Sequence, residues 1–272
     1  MANQITVATV REVIGKPAVA RWVLTAAMGL SLVTGLAAGG LLGGRSIGRE
    51  GDLSETSSLL SPAAQSLPVW AVLGVLFGLL VVWQWLPQAG EAPRATAVRH
   101  PAAAALLLAG LWFLSAWAGG VLLGAVLATA LVVCLAWGLV RLSPLRASFG
   151  VRQLTQAPFA LGLGWALVVG LGNLACLLTA GGASAFRVSA HVWAMLALIG
   201  ALGIGMSFVR YLPGRAYTGL GMAWGLVWVG YARLLGAPRS IPVALVAGVS
   251  SGLILLATVA VYLSARTRAR HG

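Results

Sequence analysis

Asn173 and Trp165 are the side chains with the most chemistry to explain. They stand eight residues apart inside 157–180, a 24-residue run with no charge. At about 1.5 Å per residue the run crosses a hydrocarbon core of roughly 30 Å as one helix. An asparagine amide in such a helix needs hydrogen-bond partners that lipid does not supply. A tryptophan well inside it lies away from the interface where these rings collect. Each residue therefore has two readings. Asn173 ties helices together or contacts a bound molecule. Trp165 packs, or it offers a flat face and one N–H donor. Gly162, Gly164, Gly170, Gly172 and Ala175 leave room for neighbouring helices.

Further aromatic residues extend the pattern. Tyr217, Trp224, Trp228 and Tyr231 are spaced 7, 4 and 3 apart and fall on one helical face, with Gly221 and Gly225 close to the same side. That stripe is helix packing, or the wall of a site for a flat apolar ligand. Trp70 opens the apolar run 67–86 and Trp83 and Trp85 close it, an arrangement that also suits an aromatic belt. Trp112 and Trp117 are five apart and do not share a face closely.

Charged chemistry is scarce. The five acids are Glu12, Glu50, Asp52, Glu55 and Glu91, and none lies in an apolar run. Ion-coupled transporters commonly place carboxylates at membrane depth, and hydrolases use them as acids, bases or metal ligands. Cys134 and Cys176 sit in apolar runs and read as small buried hydrophobes. The three histidines are scattered. No nucleophile with a base, metal-ligand spacing, phosphate loop or dinucleotide fingerprint is present. The pattern fits a binding protein better than an enzyme, with no catalytic residue and no metal site assigned.

The elements that must position these residues are membrane helices. The 272 residues are 60% hydrophobic and 8% charged, against about 25% charged in an ordinary soluble domain. The fold class is all-α, a polytopic transmembrane bundle of about eight spans. They fall near 22–44, 67–86, 101–118, 121–140, 157–180, 190–209, 216–235 and 241–263. Forty uncharged residues at 101–140 are too long for one span, and Gly119-Gly120 marks the turn of a hairpin. The first span is expected to stay uncleaved; cleavage after Ala37-Ala38 would leave one fewer. Arg233, at the end of the seventh span, is expected to snorkel outward. A net charge of +13 would suggest nucleic acid in a soluble protein. Here the arginines lie between apolar runs, so the partners are the bilayer and its anionic headgroups, and no nucleic acid.

The basic residues give the orientation. With the N-terminus inside, inner segments carry 13 of the 18 lysines and arginines and outer ones 5. Both termini are then cytoplasmic.

The residues also carry a family likeness. Ser66-Leu67-Pro68-Val69-Trp70, then Gly74, Phe77-Gly78 and Trp83-Gln84-Trp85, resembles the second helix of the TspO/MBR family, the tryptophan-rich sensory proteins. Residues 105–117, with Trp112 and Trp117, are similar to its third helix. Pro158-Phe159, then Trp165, then Asn173 eight positions on, resembles its last core helix. The likeness covers about 20–180, and longer members also resemble this chain around Ala216-Tyr217 and Ala223-Trp224. Two departures stand out: segment 45–67 lacks the family's Lys-Pro-x-Trp-x-Pro-Pro, and Ala109 stands where the family has asparagine.

The expected organisation is a cytoplasmic segment 1–21, a five-helix core over 22–180 that the resemblance covers, three further helices over 181–265 and a basic tail at 266–272. The resemblance implies a sensory or regulatory protein that binds a hydrophobic small molecule between helices, with porphyrin or haem among the ligands. The expected contacts are Trp70, Trp112, Trp165, Asn173, Trp224 and Trp228. Transport of an apolar or anionic solute, or service as a partner subunit, are the alternatives. The small residues permit a homodimer. The expected location is a bacterial plasma membrane, multi-pass. A reporter fused after Gly272 is expected to be active on the cytoplasmic side; activity outside would overturn the topology.

Overall fold

The computed structural model describes residues 17–44, 46–180 and 189–271, with side chains described to 264 apart from residue 180. The N-terminal segment to residue 16, the Gly-Gly-Ala-Ser loop with Arg187 and the side chains of the basic tail lie outside it. Among the described residues there are eight long helices and no strand. They are α1 (Pro17–Ala38), α2 (Pro68–Trp85), α3 (Pro93–Ala118), α4 (Val121–Leu142), α5 (Phe149–Ala180), α6 (Ala190–Tyr211), α7 (Arg215–Leu235) and α8 (Ile241–His271).

Prolines and glycines set several ends. Pro68 and Pro93 open α2 and α3, where a missing N–H costs nothing. Gly119 caps α3 with φ +79°, so the expected hairpin turn is where two glycines allow it. Two helices exceed their uncharged runs. α3 starts eight residues before 101 and α5 eight before 157, each carrying a proline, Pro101 and Pro158, in its interior. Their first turns lie past the apolar stretch, which is why hydropathy understates them. α1 instead ends at Ala38, ahead of Gly39 and Gly40, the latter with φ +80°.

Seven helices are long and apolar enough to cross a membrane on length and composition. The exception is α7, which carries Arg215, Arg233, four glycines and four aromatic residues. It replaces lipid with protein: Met222, Leu226 and Val229 are fully enclosed.

The packing order follows from the contacts. α1, α3, α4, α5 and α2 neighbour one another in a closed ring, α7 lies against α5, and α8 and α6 complete a second group around α7. α5 is the shared wall. Phe77, Leu106, Leu135, Phe159 and Leu163 belong to the core of the ring, and Leu198, Met222, Leu226 and Ile254 to that of the second group. Between the groups, backbones nearly touch. A Cβ on Gly164 would sit 2.6 Å from the Met222 nitrogen and closer still to the Thr218 carbonyl. A Cβ on Gly221 would collide with the Leu161 carbonyl. Small residues at helix seams are what close packing without a hydrophobic drive requires.

Gly164→Ala should therefore lower stability by about 1–3 kcal/mol. Gly170→Ala, on the same helix with open space around it, should be close to neutral. Thermal unfolding in detergent compares the two.

Candidate functional site

Four of the six expected contact residues line one cavity. Trp70 comes from α2, Trp112 from α3, and Trp165 and Asn173 from α5. The helical period explains the last two. Trp165, Val169, Gly172, Asn173 and Cys176 recur on one face of α5 and all line the cavity. Gly164 and Val168 lie on the face towards α7. The indoles form a cluster: Trp70 stacks on Trp112 at 5.5 Å and 28°, and meets Trp165 edge-on at 5.9 Å and 83°. Phe113 closes against Trp70 at 4.8 Å. Trp165 is 1% exposed, the largest of the fully buried side chains.

The roof is the segment 46–66 between α1 and α2, continued by Leu67. It supplies most of the lining, Leu53, Glu55, Ser61, Ala63 and Ala64 among it. Its backbone is held by its own side chains. Ser58 and Ser61 hydroxyls pair at 2.9 Å, Ser57 Oγ donates to Gly51 O, and Ala64 N donates to the Glu55 carboxylate at 2.6 Å. A Cβ on Gly172 would meet Leu60 O at 3.3 Å, so the bare glycine lets the roof settle on α5.

The polar chemistry of the cavity is unbalanced. Nε1 of Trp70, Trp112 and Trp165 and Oδ1 of Asn173 are buried without a hydrogen-bond partner. Asn173 Nδ2 donates only to Val169 O of its own helix, at 2.8 Å. An interhelical bond, the structural reading of Asn173, is not made among the described residues. An unmet buried donor or acceptor costs about 1–3 kcal/mol, so the site has three donors and one acceptor to offer. Its volume is about 50 Å³. That is room for a few waters and far short of the roughly 300–1,000 Å³ of drug-sized ligand sites.

Trp224 and Trp228 lie outside the cavity. They do form the expected stripe with Tyr231, at ring separations of 5.6 and 5.2 Å. Trp224 Nε1 donates to Ser66 O at 3.1 Å, and Ala63 N donates to Trp228 O at 3.2 Å, so the stripe meets the outside of the roof. Arg233 requires a correction. It does not snorkel outward but is fully buried. Its Nη1 donates to Pro238 O at 3.0 Å and its Nη2 to Glu55 O at 2.5 Å. The carbonyls of two turns replace water around the charge. The partner is 178 positions away in the chain, and the only sequence signal is a charge at the edge of the otherwise uncharged run 216–235. Trp22, Trp85, Trp117, Trp193 and Tyr211 are among the rings left exposed near helix ends, where an aromatic belt would lie. Trp83 instead packs against the ring core.

A family model described as TSPO-like protein matches residues 20–260. The chain belongs to the TSPO-like family. The match runs from α1 into α8 and takes in α6 and α7, so the second helical group is part of what this TSPO-like chain shares with its family. No curated protein and no solved structure matches it. It is an integral, multi-pass helical membrane protein of that family.

Among the described residues Asn173 makes no hydrogen bond to another helix, although its Oδ1 packs beside Gly124 of α4, so Asn173→Ala should change the stability of the ligand-free protein by less than about 1 kcal/mol. Thermal unfolding in detergent measures this. A loss of several kcal/mol would make Asn173 a packing residue.

Proposed function

We propose that this TSPO-like protein binds an apolar molecule bearing hydrogen-bond acceptors in the tryptophan cavity, as a sensory or regulatory receptor of the membrane. The observation that carries the reading is that one cavity is lined by Asn173 and by three buried indoles whose N–H groups have no partner among the described residues. Aromatic faces with a few convergent polar groups are the usual composition of a small-molecule site. Carbonyl or carboxylate oxygens on a flat apolar body would satisfy the donors while the rings stack.

A tetrapyrrole, the ligand class that the family resemblance implies, suits this chemistry: a flat ring for the indoles and propionate oxygens for the N–H groups. It does not fit the volume with the roof in place. Entry of a body that size displaces the 46–66 segment, which alone covers the cavity between α1 and α2. Trp224 and Trp228 would then act on binding through that segment.

Protoporphyrin IX titrated into the detergent-solubilised protein should quench tryptophan fluorescence saturably. Trp165→Phe combined with Asn173→Ala should weaken binding about tenfold, the equivalent of roughly 1.4 kcal/mol from one donor and one acceptor. Absence of saturable quenching, or equal affinity in the double variant, would refute the reading.

A further inference from the structure

We infer that α7 latches the 46–66 segment over the cavity, and that Arg233 is the positioning residue of the latch. α7 contributes nothing to the cavity lining, yet it grips the segment at three points. Arg233 Nη2 donates to Glu55 O at 2.5 Å, Ala63 N donates to Trp228 O at 3.2 Å, and Trp224 Nε1 donates to Ser66 O at 3.1 Å. Residues 233, 228 and 224 descend α7 as 55, 63 and 66 ascend the segment. The contacts therefore form a row along its length, not a single pin.

The row is firmer than the seating on the cavity wall. There the segment meets α5 through Ser58 Oγ to Gly172 O at 3.5 Å, the outer limit of an oxygen–oxygen hydrogen bond, and through Ser61 Oγ and Cys176 Sγ at 3.5 Å, a contact to a weak sulfur partner. Arg233 is the strongest member of the row because its donor is charged, and charge-assisted bonds are about twice as strong as neutral ones. It is also the best fixed: Nη1 is tied to Pro238 O in the turn after α7 and the side chain is wholly buried. Glu55 adds an attracting charge and braces the segment internally by accepting from Ala64 N. Leu60 completes the hold. It is buried in the core of the second helical group with Leu198, Met222 and Leu226.

The consequence is a division of labour between the two groups. The ring of five helices holds the cavity and, through Ile47 packed with Trp112, Phe113 and Trp165, the start of its cover, and the second group holds the rest of the cover. A molecule larger than the cavity enters by breaking contacts with α7, and displacement of α7 opens the cavity with no ligand present. This deepens the binding reading above but can be tested without a ligand.

Cys176 supplies the readout. It is 4% exposed, lines the cavity and touches Ser61 of the cover. In full-length protein carrying Cys134→Ala, N-ethylmaleimide should modify Cys176 slowly. Arg233→Gln should accelerate modification about tenfold, and Arg233→Lys by less, because the charge returns without the guanidinium fork that reaches both carbonyls. Trp224→Phe removes only the bond to Ser66 O and should accelerate it severalfold; it decides the matter if Arg233→Gln does not fold. Trp85→Phe removes the bond from Nε1 to Thr25 Oγ1 at the opposite end of the bundle and should leave the rate unchanged. Parental rates in Trp224→Phe and in every folded Arg233 variant would overturn the latch. So would equal acceleration by Trp85→Phe, which would mean general loosening. Accelerated labelling without porphyrin quenching would refute the ligand reading and leave the latch standing.

Discussion

The backbone contact between α5 and α7 at Gly164 and Gly221 is the constraint on which the rest of the structure depends. Neither position accepts a Cβ without moving the other helix. With the two axes this close, Val168 of α5 packs at Gly225, and the same crossing sets the direction of every other residue on α5. Gly164 and Val168 face α7, and Trp165, Val169 and Asn173 are turned towards the ring of five helices. Loss of this seam would separate the cavity from the group that holds its cover. Membrane helices gain no hydrophobic drive by associating, so van der Waals contact at such seams has to supply the association.

The polar groups divide along the same line. In the roof they are paired: serine hydroxyls with each other, Glu55 with Ala64 N, backbone carbonyls with Arg233 and Trp224. In the cavity beneath, three indole N–H groups and an amide oxygen are left over. Six more buried polar atoms lack a partner elsewhere among the described residues, Arg233 Nε and Trp228 Nε1 among them, but four belong to residues that line one cavity, and each unmet group costs free energy in a low-dielectric interior. Their concentration under a well-paired cover is the physical basis for reading a binding site in this TSPO-like protein.

Much of this was legible in the chain. Uncharged runs between arginines locate the helices because each span must hide its backbone from lipid. Trp165 and Asn173 were visible as a pair because a helix repeats every 3.6 residues and both were out of character in their run. Trp70 and Trp112 follow from the family resemblance. The early starts of α3 and α5 were hidden because their first turns are polar. α7 falls short of a membrane span by composition, yet its small residues and Met222, Leu226 and Val229 are enclosed by α5, α6 and α8.

The amino-acid sequence by itself determined the helical membrane class, the hairpin at Gly119-Gly120 and the aromatic face of α7, because these depend on hydropathy and on local backbone geometry. Only the tertiary structure decided that Trp224 and Trp228 meet the cover and not the cavity. It alone placed Arg233 inside the protein with Glu55 as partner, and it alone left Asn173 Oδ1 free. These are contacts between segments far apart in the chain. Their energies depend on how closely two helices approach, which at Gly164 and Gly221 is a matter of ångströms that no local pattern encodes.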